Sequence, residues 1–566
     1  MSWQFQSLAR RRLSKEAGTI IKDWGGRLPI ALVYPNTYRV GMSNLGFQTV
    51  YSLLNQDEEV VCERAFWDER EQEISGGKLF SLESQRELRE FAAIAFSVTF
   101  ELDYFNVVSA LRAAKLPLLA EERDEGHPLI IGGGPCIAAN PEPIAPFFDA
   151  LAIGEAEAIL PGLVEVLKTG IELPKSDLLR RMASIPGIYV PSLYRVTHGK
   201  DGAVESIAPD EGLPSTAFPV VRQVAHDLSL HPVHSVVVTP DTELGDMYLV
   251  EVSRGCSRAC RFCLAGFVFL PAREQSVDAV VSQAAEGLKY RRRVGLVGAA
   301  TSDHSRIGEI ATRLRGIGAS VAVSCLRLDS VTDELLVALI ESGIKTVTFA
   351  PEAGSERMRR AINKRLSTER IIEAVEMTAW HRFQNMKLYY LVGLPDETDE
   401  DAQAIVDLTL QLKSIVERYQ RKGQVTINLS PFVPKAQTPF QHQPMAEAST
   451  MERRIRLIRG GLRPAGVTVR YESPDWTEVQ GVLARGDRRL GGVLAAVLRS
   501  SVREFRKAMS ELDLDPDFYL RRPRREGEIV PWAAVRSGVG PGSSFPAGNE
   551  PYGHGDSEEV EACALP

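Results

Sequence analysis

Short apolar runs alternate along this chain with longer stretches whose apolar residues return every three or four positions. In the first third the runs fall at 29–34, 60–66, 92–98, 129–131 and 149–153, and they predict strands. Segments 44–54, 104–114 and 156–168 carry the helical period. The runs are continuous rather than alternating, as expected for strands covered on both faces. Strands interleaved with helices predict a doubly wound parallel sheet, and ligands on such sheets bind beyond the strands' carboxyl ends. Loops 35–43, 99–103 and 132–141 are therefore candidate binding loops. Tyr34, Asn36, Tyr38 and Arg39 belong to the first, where a ligand contact and plain loop packing are equally good readings.

A second series begins near residue 248, with predicted strands at 248–252, 294–297, 320–324, 346–350, 387–392 and 425–430. Six β/α repeats fit a partial (β/α)6 TIM barrel, with chemistry at the strands' carboxyl ends. The expected fold class is thus α/β: a flavodoxin-like doubly wound sheet over 1–170, a connector with a β-hairpin (188–196 and 204–207) over 171–245, and the partial barrel over 246–440. A small, mostly helical C-terminal domain follows over 441–536. Gly, Pro and Ser dominate the tail over 537–566, which reads as disordered.

Bulk properties narrow the class. The 566 residues, 44% hydrophobic and 25% charged, are those of a soluble globular protein, and no apolar run approaches membrane-spanning length. The Arg10-Arg11-Arg12 cluster is not followed by an apolar stretch, so no secretory signal is read there. A cytoplasmic location, with no membrane partner, is expected. Net charge is −8, yet residues 451–526 carry 17 Lys and Arg against 11 Asp and Glu. That basic segment is read first as a solvated helical surface and second as a face for an anionic partner such as RNA.

The chemistry concentrates in Arg254-Gly255-Cys256-Ser257-Arg258-Ala259-Cys260-Arg261-Phe262-Cys263, directly after the first strand of the second series. Three cysteines in a C-x3-C-x2-C loop can converge on one iron–sulfur cluster. A four-iron cluster with three protein ligands keeps one iron open, as a catalytic zinc keeps an open position. Structural zinc wants a fourth ligand, and no Cys or His follows Cys263 until His304. Seven cysteines in 566 residues make a disulfide framework a poor reading.

The cysteine run resembles the signature of the radical S-adenosylmethionine (SAM) superfamily, down to the aromatic Phe262. Later strand ends strengthen the likeness: Gly298-Ala299-Ala300-Thr301, Ser324-Cys325-Leu326-Arg327-Leu328-Asp329, Phe349-Ala350-Pro351-Glu352-Ala353-Gly354-Ser355-Glu356-Arg357 and Gly393-Leu394-Pro395-Asp396-Glu397-Thr398. The resemblance implies Cys256, Cys260 and Cys263 as ligands of a 4Fe-4S cluster. It implies S-adenosyl-L-methionine at the open iron, beside Phe262, Gly298, Arg327, Asp329, Glu352, Gly393, Leu394 and Pro395. Glu352 is the expected catalytic carboxylate, and a surface salt bridge is the other reading of Arg327 and Asp329. The implied reaction is reductive cleavage of SAM to a 5′-deoxyadenosyl radical that abstracts hydrogen from a substrate.

A flavodoxin-like unit ahead of such a barrel resembles the cobalamin-binding-domain radical SAM class. Tyr34-Pro35-Asn36-Thr37-Tyr38-Arg39-Val40-Gly41-Met42-Ser43-Asn44-Leu45-Gly46, Ser430-Pro431-Phe432-Val433-Pro434-Lys435 and Arg485-Gly486-Asp487-Arg488-Arg489 are similar to a bacterial branch of it. Cobalamin-dependent methyl transfer is one implication, and a retained scaffold or substrate-docking unit is the other. No Asp-x-His-x-x-Gly cobalt-ligand motif occurs, and Leu270, Gln437 and His442 stand where the branch has Arg, His and Trp. Asp487 and Arg488 are read either as facing the active site or as an internal ion pair. Implied partners are an electron donor such as flavodoxin or ferredoxin and a small protein encoded nearby. RNA or a ribosomal substrate is conceivable. The reading from another class is a non-catalytic iron–sulfur protein serving electron transfer or regulation. An electron carrier would enclose its cluster with four cysteines, and only three lie together.

Overall fold

The structure is a computed structural model that describes residues 3–213, 218–525 and 527–537. The sequence expectation for the tail therefore lies, from residue 538 on, outside the described residues, as does Cys563. Among the described residues the N-terminal part holds a six-stranded sheet in the order β2-β1-β3-β4-β5-β6. Its strands are β1 (Leu28–Tyr34), β2 (Val60–Phe66), β3 (Ala93–Ser97), β4 (Leu129–Gly133), β5 (Ala150–Ala152) and β6 (Ile188–Tyr189). The first five are parallel, and β6 runs antiparallel to β5. The apolar runs form strands because both faces are covered, by helices that include Leu45–Gln56, Tyr104–Ala113 and Ala156–Gly170. Two buried charges interrupt them in β2, Glu63 and Arg64; Arg64 is fully buried, held by Glu16 and Glu83 at 2.7 Å each.

The hairpin was misplaced from sequence. Residues 188–189 join the sheet edge as β6, and the hairpin is Tyr194–His198 with Val204–Pro209. Pro191 explains the break, since it cannot donate to a ladder and opens a 3-10 turn between the two pieces.

The second series has β7 (Tyr248–Glu251), β8 (Arg293–Val297) and β9 (Ser320–Val323) in one parallel sheet. A second sheet holds β10 (Thr346–Glu352), β11 (Asn385–Val392), β12 (Gln424–Pro431) and β13 (Thr468–Tyr471), also parallel. A parallel bridge from Leu326 to Phe349 joins the two sheets. Intervening helices such as Val277–Gly287, Thr368–Trp380 and Asp399–Tyr419 pack outside and share a second hydrophobic core with the strands.

Strand β13 and the helix Ala448–Leu462 correct the expectation of a separate helical unit over 441–536. Both extend the β/α series, with Ile455, Ile458 and Leu462 in its core. The strand escaped notice because its sequence, Thr-Val-Arg-Tyr, is short and mostly exposed, as suits an edge. Beyond it, helices Pro474–Arg485, Leu490–Ala496 and Val502–Glu511 return to the first core, where Val482, Leu490 and Phe505 pack with the N-terminal sheet. Ring contacts of Phe105 with Trp476 and Phe505 fasten them. Among the described residues no helix is long and apolar enough to cross a membrane.

Candidate functional site

The cysteine loop springs from the carboxyl end of β7. Val252 N–H donates to the Val297 carbonyl at 2.8 Å, and Gln275 N–H donates back to Val252 at 2.9 Å, which fixes the take-off. Gly255 has φ +80°, and a Cβ there would lie 2.8 Å from the Pro271 carbonyl oxygen. Only glycine fits both demands. Cys263 N–H donates to the Cys260 carbonyl at 3.1 Å, and Gly266 N–H to Cys263 at 3.2 Å, so the loop coils tightly around its last two cysteines. A strap from the far side holds it: Arg261 N–H reaches the Ile362 carbonyl at 3.0 Å and Asn363 Nδ2 the Ala259 carbonyl at 2.9 Å.

Burial pushes the Cys260 and Cys263 thiols up, while Lys364 and Arg327 pull Cys260 back down. Lys364 is buried and pairs with Glu352 at 3.0 Å. Glu352 occupies a bulge at the tip of β10 with φ +69°, a strained setting for a non-glycine residue. Its carboxylate bears on Cys260, Cys263 and Cys325, so the structure brings the expected acid and the three-cysteine loop together. Cys325 sits in the same neighbourhood, its thiol pushed up by burial to about 11. Among the described residues no three Cys, His, Asp or Glu side chains gather around a single point.

The remaining sequence candidates divide. Gly298 ends β8 beside the loop, and a Cβ there would stand 2.6 Å from the Ser253 hydroxyl, so the position is a cradle open only to glycine. Arg327 and Asp329 pair with each other at 3.0 Å, and Arg258 of the cysteine loop joins Asp329 at 3.2 Å and Asp303 at 2.9 Å. These charges therefore buckle the loop to the ends of β8 and β9. Phe262 packs against an apolar cluster with Leu394, Phe432 and Phe440, which brings the Gly393–Pro395 turn to the underside of the loop. Gly393, with φ +84°, donates its N–H to Glu397 at 2.6 Å. Burial raises the Glu397 carboxyl to about 7, even though Arg454 pairs with it at 2.7 Å. The first N-terminal loop is largely packing: Tyr34 meets Thr99, Asn36 meets Asp103 and Tyr38 donates to Glu16. Asp487 and Arg488 are internal ion-pair partners, of Arg489 and Glu142 respectively.

Sequence reasoning missed the joint between the two halves. Arg254, immediately before Gly255-Cys256, pairs at 2.8 Å with Glu155, Glu157 and Glu251. Glu155, at the end of the β5 loop, also takes Arg273 at 2.7 Å and the Ala225 N–H at 3.0 Å. Burial works against it, yet Arg273 and Arg254 hold the Glu155 carboxyl below the usual range. No local spacing announces this hub, because its partners lie about a hundred residues away in sequence. Arg254 could have been suspected only from its place in the cysteine run.

Beside the hub lies a cavity of about 560 Å³. One wall is the N-terminal sheet, with Leu32 and Ile131, flanked by the helices Leu45–Gln56 and Ala156–Gly170. The other is the cysteine loop and the end of β8, with Gly255, Val268 and Gly298. Gly132-Gly133-Gly134 edge it, and at Gly134 (φ +125°) a Cβ would run into the Val98 backbone.

Residues 46–191 match the family described as radical SAM proteins, N-terminal, and residues 250–409 the radical SAM superfamily, together more than half of the chain. The chain belongs to the radical SAM superfamily and is an enzyme, with a 4Fe-4S cluster and SAM as its cofactors. An uncharacterized protein of Methanocaldococcus jannaschii is 29% identical over 82% of this chain and 90% of its own length. An uncharacterized methyltransferase of Pyrococcus horikoshii is 24% identical over 50% of this chain, which spans only 58% of that protein. Among solved structures, the radical SAM methyltransferase TsrM of Kitasatospora setae is similar with a TM-score of 0.47 and 13% identity, over 74% of this chain and 75% of that one. The residues fit the cofactor pair: three thiols in one short loop beside a glycine cradle.

Proposed function

We propose that this enzyme transfers a methyl or related one-carbon group, with SAM and the cluster on the loop side of the central cavity and a corrinoid on the N-terminal side. Cys256, Cys260 and Cys263 would hold the cluster, Gly298 would let SAM approach the backbone, and Glu352 with Lys364 would set the charge beside it. When bound, the cluster supplies the single electron that breaks a carbon–sulfur bond of SAM. In the N-terminal half the parallel order β2-β1-β3-β4-β5 supports a flavodoxin-like unit over 1–170, and the sequential order β7 to β13 supports a partial barrel. One observation carries the reading: a single cavity touches both the carboxyl ends of the first sheet and the cysteine loop.

The corrinoid fit rests on that cavity's lining. It is mostly apolar along the sheet and both helices, glycine-rich at the strand ends and charged where Glu155, Glu157 and Arg254 meet, and among the described residues it includes no histidine. A bound corrinoid would therefore lack a histidine on cobalt. The electron would come from a flavodoxin- or ferredoxin-type donor. Anaerobic reconstitution with hydroxocobalamin, followed by gel filtration and cobalt analysis, tests the reading. About one cobalt per chain is expected, and Leu163→Trp, which fills the cavity from the helix Ala156–Gly170, should abolish it. Iron without cobalt would leave the N-terminal half as a scaffold.

A further inference from the structure

The run Arg485-Gly486-Asp487-Arg488-Arg489 holds three arginines, and two of them own a carboxylate. Arg488 takes Glu142 at 2.8 Å and Arg489 takes Asp487 at 2.7 Å. Arg485 has none among the described residues. It is fully buried, its Nη1 donates to the Gln443 carbonyl at 2.7 Å, and its Nε and Nη2 have no hydrogen-bond partner. Two more guanidinium groups act on it from the segment after Leu520. Arg522 and Arg524 share one carboxylate, Glu528, at 2.5 Å and 3.4 Å, and each keeps an unpartnered Nε. Arg524 is buried beneath the Trp532 ring, while Arg522 is partly open to solvent.

Among the described residues the three guanidinium groups have one directly paired carboxylate, Glu528, while Asp487 and Asp201 act on Arg524 and Arg522 only from farther off, so positive charge is in excess in a mostly buried place. Buried polar groups are nearly always paired, and leaving a charge unpaired is among the costlier defects a fold can carry. Burial, then Arg524 and Arg522, press the Arg485 pKa down to about 9, which reports the same positive field. What the cluster lacks is an acceptor-rich dianion: four unused N–H-bearing nitrogens match the several oxygens of a phosphoryl group better than the two of a carboxylate.

We infer that Arg485, Arg522 and Arg524 form an oxyanion site of the phosphate class, separate from the cluster and the central cavity. The ligand would enter from the side of Arg522 and the exposed His442.

Equilibrium dialysis of the reconstituted full-length protein against radiolabelled inorganic phosphate, with SAM in excess, tests this. One saturable phosphate per chain is expected, displaced by sulfate and not by acetate or chloride at equal ionic strength. Arg485→Met and Arg522→Met should each weaken it by about tenfold or more. Circular dichroism checks that both variants fold, and Arg522→Met, at a partly exposed position, keeps the test alive if Arg485→Met does not. No saturable binding, binding unchanged in a folded Arg522→Met variant, or equal displacement by acetate would overturn the assignment.

Discussion

Replacing Glu155 by Gln keeps the size of the side chain and removes the charge on which the two halves meet. Glu155 is 5% exposed and accepts from Arg254 at 2.8 Å, from Arg273 at 2.7 and 3.0 Å and from the Ala225 N–H at 3.0 Å. Arg254 would retain Glu157 and Glu251, but Arg273 would lose its carboxylate and keep only neutral acceptors, the backbone carbonyls of Phe269 and Pro271 among them. Breaking a buried ion pair from one side costs about 3–5 kcal/mol, and the surviving carbonyls place this case near the lower end, at about 3 kcal/mol. At roughly 2–4 °C per kcal/mol for a unit of this size, the expected loss is about 6–12 °C in Tm. Because Arg273 braces the segment that closes behind Gly255, iron content after reconstitution should fall as well. Anaerobic scanning fluorimetry with iron and sulfide analysis reads both. A Tm within about 1 °C of the parent, with full iron, would refute the view that this hub holds the cysteine loop in place.

Three further outcomes are expected. Gly298→Val should leave the cluster assembled but abolish SAM binding, since a side chain there meets the Ser253 hydroxyl; SAM titration followed by electron paramagnetic resonance reads this, and normal binding contradicts it. Glu352→Gln leaves the buried Lys364 without its carboxylate, so SAM consumption should drop at least about tenfold while iron content stays normal; parent-level turnover would remove Glu352 from the site. Burial pushes the Asp487 carboxyl up, but His198 at 3.7 Å and Arg489 at 2.7 Å hold it well below the usual range. Its stabilisation is therefore present above the unfolded-state carboxylate pKa and lost as pH falls toward the folded one. Asp487→Asn should cost about 2 kcal/mol at pH 7, with the gap to the parent closing in acid; a gap that does not change with pH would contradict the assignment.

Both strand series were legible because strands leave one of two simple patterns: β1 is a continuous apolar run covered on both faces, and β12 alternates inward Val425, Ile427 and Leu429 with polar residues. The cysteine loop was legible because its three cysteines are local in sequence. What escaped is long-range or atypical. Residues 188–189 read as the start of a hairpin arm because their true partner, β5, lies far back in the sequence, and β13 is a polar edge. Lys364 meets Glu352 only because the chain folds back after the helix Glu356–Ala361. Arg327 and Asp329 follow β9, and their answering charges, Arg258 and Asp303, come from two other loops. Spacing within one segment cannot report such partners.

The most direct measurement is SAM consumption by the chain reconstituted anaerobically with iron, sulfide and hydroxocobalamin, then reduced. Mass spectrometry would follow 5′-deoxyadenosine and S-adenosylhomocysteine, with Cys260→Ala as the blank. The account expects one or both products from the parent protein and neither from the variant. An intact cluster that consumes no SAM, with or without cobalamin, would contradict it.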